Sequence, residues 1–350
     1  MIRIYKCQSC GSALEYDGTQ DMMVCPHCDS KQSVQNVLLF ESQGQNVVTG
    51  AEYKDNSGTG APEIRCPACD ALLMESKDLV TAAKRCPFCQ NPVIIDSRVT
   101  GAYSPKYVLP FKLTKKQAKE LFRKWAKKGR LTPSTFKTDA TLDKSQGLYV
   151  PTWLYTYTMQ AALNLTGKKE RREKQGDTEV VTTETYDINL STEGTYERVP
   201  ANADLTIPRT VMEVLEPYDY NALTEFSLPY LSGYMAEKYQ VSAEDLESSV
   251  KEALKADLIE NSKEQIRGYD EVTVNSDNVQ FTGSKVEYAL LPVWLLNYQY
   301  GQKKFPLYMN GQTGTIHGKL PISKGKLALV FGIVFAVVLA ILIILWRVSR

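Results

Sequence analysis

Eight cysteines stand in four pairs of one spacing, Cys7/Cys10, Cys25/Cys28, Cys66/Cys69 and Cys86/Cys89, and none lies beyond Cys89. A C-x2-C pair closes a knuckle that aims two sulfurs at one point, so two successive pairs supply the four thiolates of a tetrahedral metal site. Pro26, Pro67 and Pro87 follow the first cysteine in three of the pairs and pre-bend the turn. Gly11, Asp29, Asp70 and Gln90 follow the second, and such residues tolerate the left-handed backbone a knuckle uses. The expectation is two zinc ribbons, each folded around its own structural zinc ion, with all eight cysteines as ligands. Four sulfur ligands leave no position for water, so the metal would brace and not catalyse. A redox C-x2-C would need no second pair, and an iron–sulfur centre stays open by ligand type. His27 sits inside a pair and reads as a bystander.

Chemistry elsewhere is sparse, and the chain reads as non-enzymatic. It has no G-x4-G-K-[ST] phosphate loop, which excludes an ATP-driven helicase on that criterion. Asn310-Gly311-Gln312-Thr313-Gly314 follows one apolar stretch and precedes another, so it reads as a tight hairpin and not a phosphate cradle. His317 has no cysteine or serine partner at suggestive spacing and reads as structural. No carboxylate pair stands out among 40 acidic residues.

The elements that must hold the metal sites are expected to start life in a reducing compartment, because the first residues, Met1 to Cys7, offer no apolar leader. At the other end, Leu327 to Trp346 is 20 residues without a charge. At about 1.5 Å per helical residue this covers the roughly 30 Å hydrocarbon core of a bilayer. Lys303, Lys304, Lys319, Lys324 and Lys326 flank its N-terminal side, against Arg347 and Arg350 beyond it. That asymmetry predicts a single-pass tail anchor in the cytoplasmic membrane, with the N-terminal bulk in the cytoplasm.

With 41 basic and 40 acidic residues in 350, 43% apolar, the chain is neither disordered nor a multi-span membrane protein. Its near-zero net charge hides local differences. Residues 1–34 carry Arg3, Lys6 and Lys31 against Glu15, Asp17, Asp21 and Asp29, and residues 63–98 carry five of each sign. Each metal with four thiolates adds −2, so the ribbons are poor phosphate binders. Between Lys112 and Arg130, by contrast, stand nine Lys or Arg and one acid, Glu120. Lys115, Lys116, Lys119, Arg123, Lys124, Lys127 and Lys128 form either a solvated helix face or a surface for anionic phospholipid.

The organisation expected is zinc ribbon 1 over 1–40, a linker over 41–62, ribbon 2 over 63–98 and an α+β domain over 99–322. A basic spacer (323–326), the span (327–346) and a short tail (347–350) complete it. Within the domain, Thr114 to Lys128 and Ser242 to Ser262 read as helices, the second opened by the capping pair Ser242 and Asp245. Leu148 to Ala161, Val180 to Leu190, Gly194 to Val199, Val272 to Val274, Val279 to Phe281 and Val286 to Tyr300 read as strands of a mixed antiparallel sheet, with a charged loop at Gly167 to Gly176. Pro151-Thr152-Trp153-Leu154 and Pro292-Val293-Trp294-Leu295 share a P-x-W-L core downstream of a helix, which suggests a duplicated helix-then-strand unit.

Two four-cysteine ribbons, then PYDYNALTEFSLPYLSGYMAEKYQVS (Pro217 to Ser242), YALLPVWLLNYQY (Tyr288 to Tyr300) and FPLYMNGQTGTIHGKLPISKGK (Phe305 to Lys326) before one apolar run resemble the bacterial membrane-anchored proteins with TFIIB-type zinc ribbons. These are often encoded beside a phage-shock-protein-A homologue and an SPFH-domain (flotillin-like) protein. The resemblance implies a non-enzymatic scaffold that helps hold those two partners at the membrane in the envelope-stress response. It carries over the eight cysteines and the anchor, and no catalytic residue. The competing expectation is a membrane-tethered nucleic-acid-binding protein that uses the ribbons with the Lys112 to Arg130 helix.

Overall fold

The computed structural model describes residues 1–50, 52–53, 63–74, 80–142, 144–175 and 178–348. The chain is of the α+β class, with both four-cysteine groups near the N-terminus and one apolar helix near the C-terminus. It divides into two compact units, one of residues 1–150, 206–238 and 290–350, the other of 151–205 and 239–289. The stretch 99–322 therefore contributes to both units.

In the first unit the two ribbons share a sheet. The strand Ile2–Tyr5 pairs on one edge with Val47–Gly50 and on the other with Pro92–Ile95 of the second ribbon. Pro92–Ile95 pairs with Thr81–Arg85, which pairs in turn with Met235–Glu237. Ile2 and Ile4 are buried against Ile64, Leu73, Val93 and Ile95. Arg3 bridges Glu41 and Asp96 by ion pairs. Inside the expected linker 41–62, Glu41 and Ser42 end a helix (Val34–Ser42) capped by Ser33, and Val47–Gly50 is a strand. The β-branched Val47 and Val48 lie opposite Tyr5 and Ile4, which explains why this stretch orders; 51 and 54–62 lie outside the described residues. The basic helix spans Lys115–Lys128, with a reciprocal capping box between Thr114 and Gln117, and buries Ala118, Phe122 and Ala126.

In the second unit the part of the strand Gln146–Gln175 beyond residue 150 and the strand Thr178–Asn202 form one long antiparallel ladder, from Thr152↔Asn202 to Gln175↔Thr178. Tyr155, Tyr157, Met159, Ala161, Leu163 and Leu165 are buried in strict alternation, as a strand with one covered face requires. The cover is the helix Ala243–Gln265, capped by Ser242, which presents Val250, Leu254 and Leu258; Ala253 is exposed. The expected charged loop from Gly167 is strand instead. Lys169 lies opposite Glu184 and Lys174 opposite Glu179, and the facing Thr- and Val-rich strand has high β-propensity. Residues 176 and 177 lie outside the described residues. The strand segments read separately over 272–300 are one strand, Glu271–Tyr300.

The duplication suggested by the two P-x-W-L cores has a counterpart in hydrogen bonding within each unit. In one, the Ala203 N–H donates to Pro151 O, the N–H groups of Gln240 and Val241 donate to Ala203 O, and Trp153 Nε1 donates to Val241 O at 3.0 Å. In the other, the Gly311 N–H donates to Pro292 O, the N–H groups of Lys112 and Leu113 donate to Gly311 O, and Trp294 Nε1 donates to Leu113 O at 3.1 Å. Val241 and Leu113 each precede a helix cap, Ser242 and Thr114. The ladder register agrees, with Thr152↔Asn202 matching Val293↔Asn310. Each tryptophan therefore pins the start of a helix to its strand. The Ala203 position is Gly311 in the first unit because a Cβ there would stand 2.7 Å from both the Phe111 ring and Pro292.

Candidate metal centres

All four cysteine pairs adopt one hairpin. The residue after the second cysteine donates its N–H to the first cysteine's carbonyl, from Gly11, Asp29, Asp70 and Gln90, at 2.8–2.9 Å. The first cysteine's own N–H donates to the residue beyond, at Ser12, Ser30, Ala71 and Asn91. Gly11, Asp29, Asp70 and Gln90 all take positive φ, between 57° and 74°, as their residue types suggest.

These hairpins bring together Cys7, Cys10, Cys25 and Cys28 in one group and Cys66, Cys69, Cys86 and Cys89 in the other, the ligand atoms of each within 4.8 Å of one another. Sulfur–sulfur separations are 3.7 Å for Cys7–Cys28, 3.5 Å for Cys10–Cys25, 3.6 Å for Cys66–Cys89 and 3.7 Å for Cys69–Cys86. A disulfide would need about 2.05 Å. These are two opposite edges of each group, and a regular tetrahedron of that edge would have its centre about 2.2 Å from each vertex, close to a metal–thiolate bond. The donor set thus fits two metal ions, with every corner of each tetrahedron a sulfur. His27 is exposed and belongs to neither group.

The surroundings treat the thiols unequally. Burial pushes Cys25 up to about 11 and Cys66 up to about 12. Cys10, near the surface, is lowered to about 6 by the N–H and then the hydroxyl of Ser12. At Cys89 burial acts upward but is outweighed by the Asn91 N–H and the neighbouring thiols, which bring it down to about 7.

Beside the centres, in the same unit, opens a cleft of about 770 Å³ lined by residues of both ribbons, including Tyr16 and Arg85, with Tyr234 and Trp294. Its carboxylates are engaged. Glu15 receives a two-pronged ion pair from Arg85 at 2.6 and 2.7 Å, and Asp17 accepts from the Thr19 N–H and hydroxyl and the Gln20 amide. Burial holds the Tyr16 and Tyr234 phenols protonated, well above their usual range.

Of the basic residues singled out on Lys115–Lys128, Lys115, Lys116, Lys124, Lys127 and Lys128 are exposed, and Lys119 and Arg123 half-buried. In the stretch 168–174, Lys168, Arg171 and Arg172 are tied into ion pairs of their own, Lys168–Glu271, Arg171–Glu173 and Arg172–Glu170. Asn310 to Gly314 is the hairpin expected: Asn310 Oδ1 accepts from the N–H groups of Gln312 and Thr313, and Gly314 takes φ 78°. His317 lies in the returning strand, paired with Tyr308.

The apolar helix runs Lys324–Val348, with mean hydropathy 3.4 over its most apolar stretch and no residue buried in protein. It is long and apolar enough to cross a membrane. The expected spacer 323–326 is not separate: the Ser323 hydroxyl accepts from the Lys326 N–H and caps the helix, whose first turn is 324–326.

No family model and no solved structure matches the chain. It is 32% identical over 332 residues to the uncharacterized protein YdjG of Bacillus subtilis (strain 168), a likeness that covers 94% of this chain and 93% of the relative. At that identity over nearly the whole of both chains, the chain belongs to the family of YdjG.

Proposed function

We propose that the protein is a non-enzymatic, membrane-anchored scaffold whose two metal centres are structural zinc sites. The closed sulfur tetrahedra carry this reading. Zinc takes four thiolates at about 2.3 Å without redox change, and a site with no open corner offers no place for substrate or water. The cleft beside them supports the same view, because its carboxylates are spent on structural bonds and its tyrosines stay protonated. The helix Lys324–Val348 crosses the cytoplasmic membrane once, with the lysine-rich flank and the ribbons on the cytoplasmic side.

The partners proposed are an SPFH-domain protein and a phage-shock-protein-A homologue, held at the membrane in envelope stress. This part rests on the resemblance of the sequence and on the weak basic charge of the ribbons, which suits protein and not phosphate contacts. Asp29 and Asp70 lie within the knuckles themselves, where they repel a nucleic-acid backbone. Crosslinking and pull-down of the full-length protein from membranes, with and without a zinc chelator, tests it. Recovery of both partners only without chelator is expected, and salt-sensitive DNA retention in place of protein partners would sink the scaffold reading.

A further inference from the structure

The basic helix and the apolar helix meet. The Ser323 N–H donates to Leu131 O at 2.9 Å, and Lys326 Nζ donates to Thr132 O at 2.6 Å, so the chain leaving the basic helix is tied to the first turn of the apolar one. Leu320 packs so close to Gly129 that a Cβ there would stand 2.6 Å from its Cδ1.

The charge at this junction has one sign. From Leu121 to Thr138, and from Tyr288 to Trp346, there is no Asp or Glu. Lys124, Lys127, Lys128, Arg130, Lys319 and Lys324 are exposed, and none makes an ion pair with a described residue. Leu327, where the uncharged run begins, is three residues beyond Lys324, about 4.5 Å along a helix axis. That is inside the screening length of about 8 Å at physiological salt.

We infer that the end of the basic helix and the entry to the apolar helix form one binding site for the anionic phospholipid headgroups of the membrane the chain crosses. The inference rests on the proposed membrane crossing. If that crossing is right, the first turn of Lys324–Val348 lies at headgroup depth, and the hydrogen bonds from Ser323 and Lys326 bring Lys127, Lys128 and Arg130 there with it. A headgroup layer is the one anionic partner already at this depth, whereas a nucleic acid would have to compete with it for the same space. Each basic residue near an anionic surface strengthens attachment about fivefold.

The test uses the full-length protein reconstituted into nanodiscs of phosphatidylcholine alone or of a phosphatidylcholine–phosphatidylglycerol mixture, with lysine acylation followed by mass spectrometry. Several-fold slower labelling of Lys127, Lys128 and Lys324 in the anionic discs is expected, reversed by high salt, with Lys116 near the far end of the helix as reference. The triple variant Lys124→Gln, Lys127→Gln, Lys128→Gln should still insert but co-purify with less phosphatidylglycerol. Insertion into both discs with equal labelling overturns the proposal and leaves the crossing intact. Failure to insert into either overturns the crossing itself. Protection seen only in native membranes would mean an acidic protein occupies the site, and would also overturn it.

Discussion

At Cys25 and Cys66, burial raises the thiols to about 11 and about 12, so at neutral pH each holds a proton that a metal must displace. The metal depresses the pKa of every ligand it binds, so the stability it contributes is present at higher pH and is lost as pH falls through the metal-bound values. Zinc titrated into the apoprotein in weak buffer should therefore release protons, and metal content measured after stepwise acidification should fall. Cys66→Ser should remove one of two equivalents of zinc, read by metal analysis. The centre it breaks would otherwise contribute on the order of 10 kcal/mol to folding. The spacing, the prolines and the left-handed positions of these hairpins are all legible in the sequence, because a knuckle is a local structure closed within six residues.

Among the elements, the circuit of Trp294, Leu113, Gly311 and Pro292 and its counterpart of Trp153, Val241, Ala203 and Pro151 carry testable weight. Trp294→Phe keeps most of the ring packing but leaves the Leu113 carbonyl without its donor. The expected loss is about 1–3 kcal/mol, measured by chemical denaturation, with Trp153→Phe similar. Hydrogen exchange should localise the two effects to the starts of Lys115–Lys128 and Ala243–Gln265 respectively. Gly311→Ala should cost about 1–3 kcal/mol, because the methyl group meets Phe111 and Pro292. The helices and their caps were readable from Thr114 and Ser242 and from the apolar spacing. The continuous strands were not, since Lys168 to Lys174 resemble a loop until the strand opposite supplies Glu184 and Glu179.

At the scale of the whole molecule, the ribbons are not separate modules on a tether. Ile2↔Ile95 pairing, the Arg85–Glu15 ion pair and the Ser232 hydroxyl donating to Leu14 O join them to one another and to later parts of the first unit. Chelation should therefore lower the melting temperature of the first unit as a whole and not merely melt residues 1–98. Hydrogen exchange with and without chelator checks this, and protection of Thr81–Arg85 and Met235–Glu237 should fall together. Deleting the chain from Lys324 onward should move the protein from the membrane fraction to the soluble one, assayed by carbonate extraction.

The sequence by itself determines the four cysteine knuckles, the apolar helix and the local charge contrasts, because each depends on residues close along the chain. It also shows the repeated P-x-W-L core, but not why it repeats. Only the tertiary structure decides that the two ribbons share a sheet, that 99–322 splits between two units, and that the basic helix is tied to the start of the apolar helix. Those are pairings between strands and carbonyls as much as about two hundred residues apart, set by which edges and donors remain unpaired once the local elements have formed.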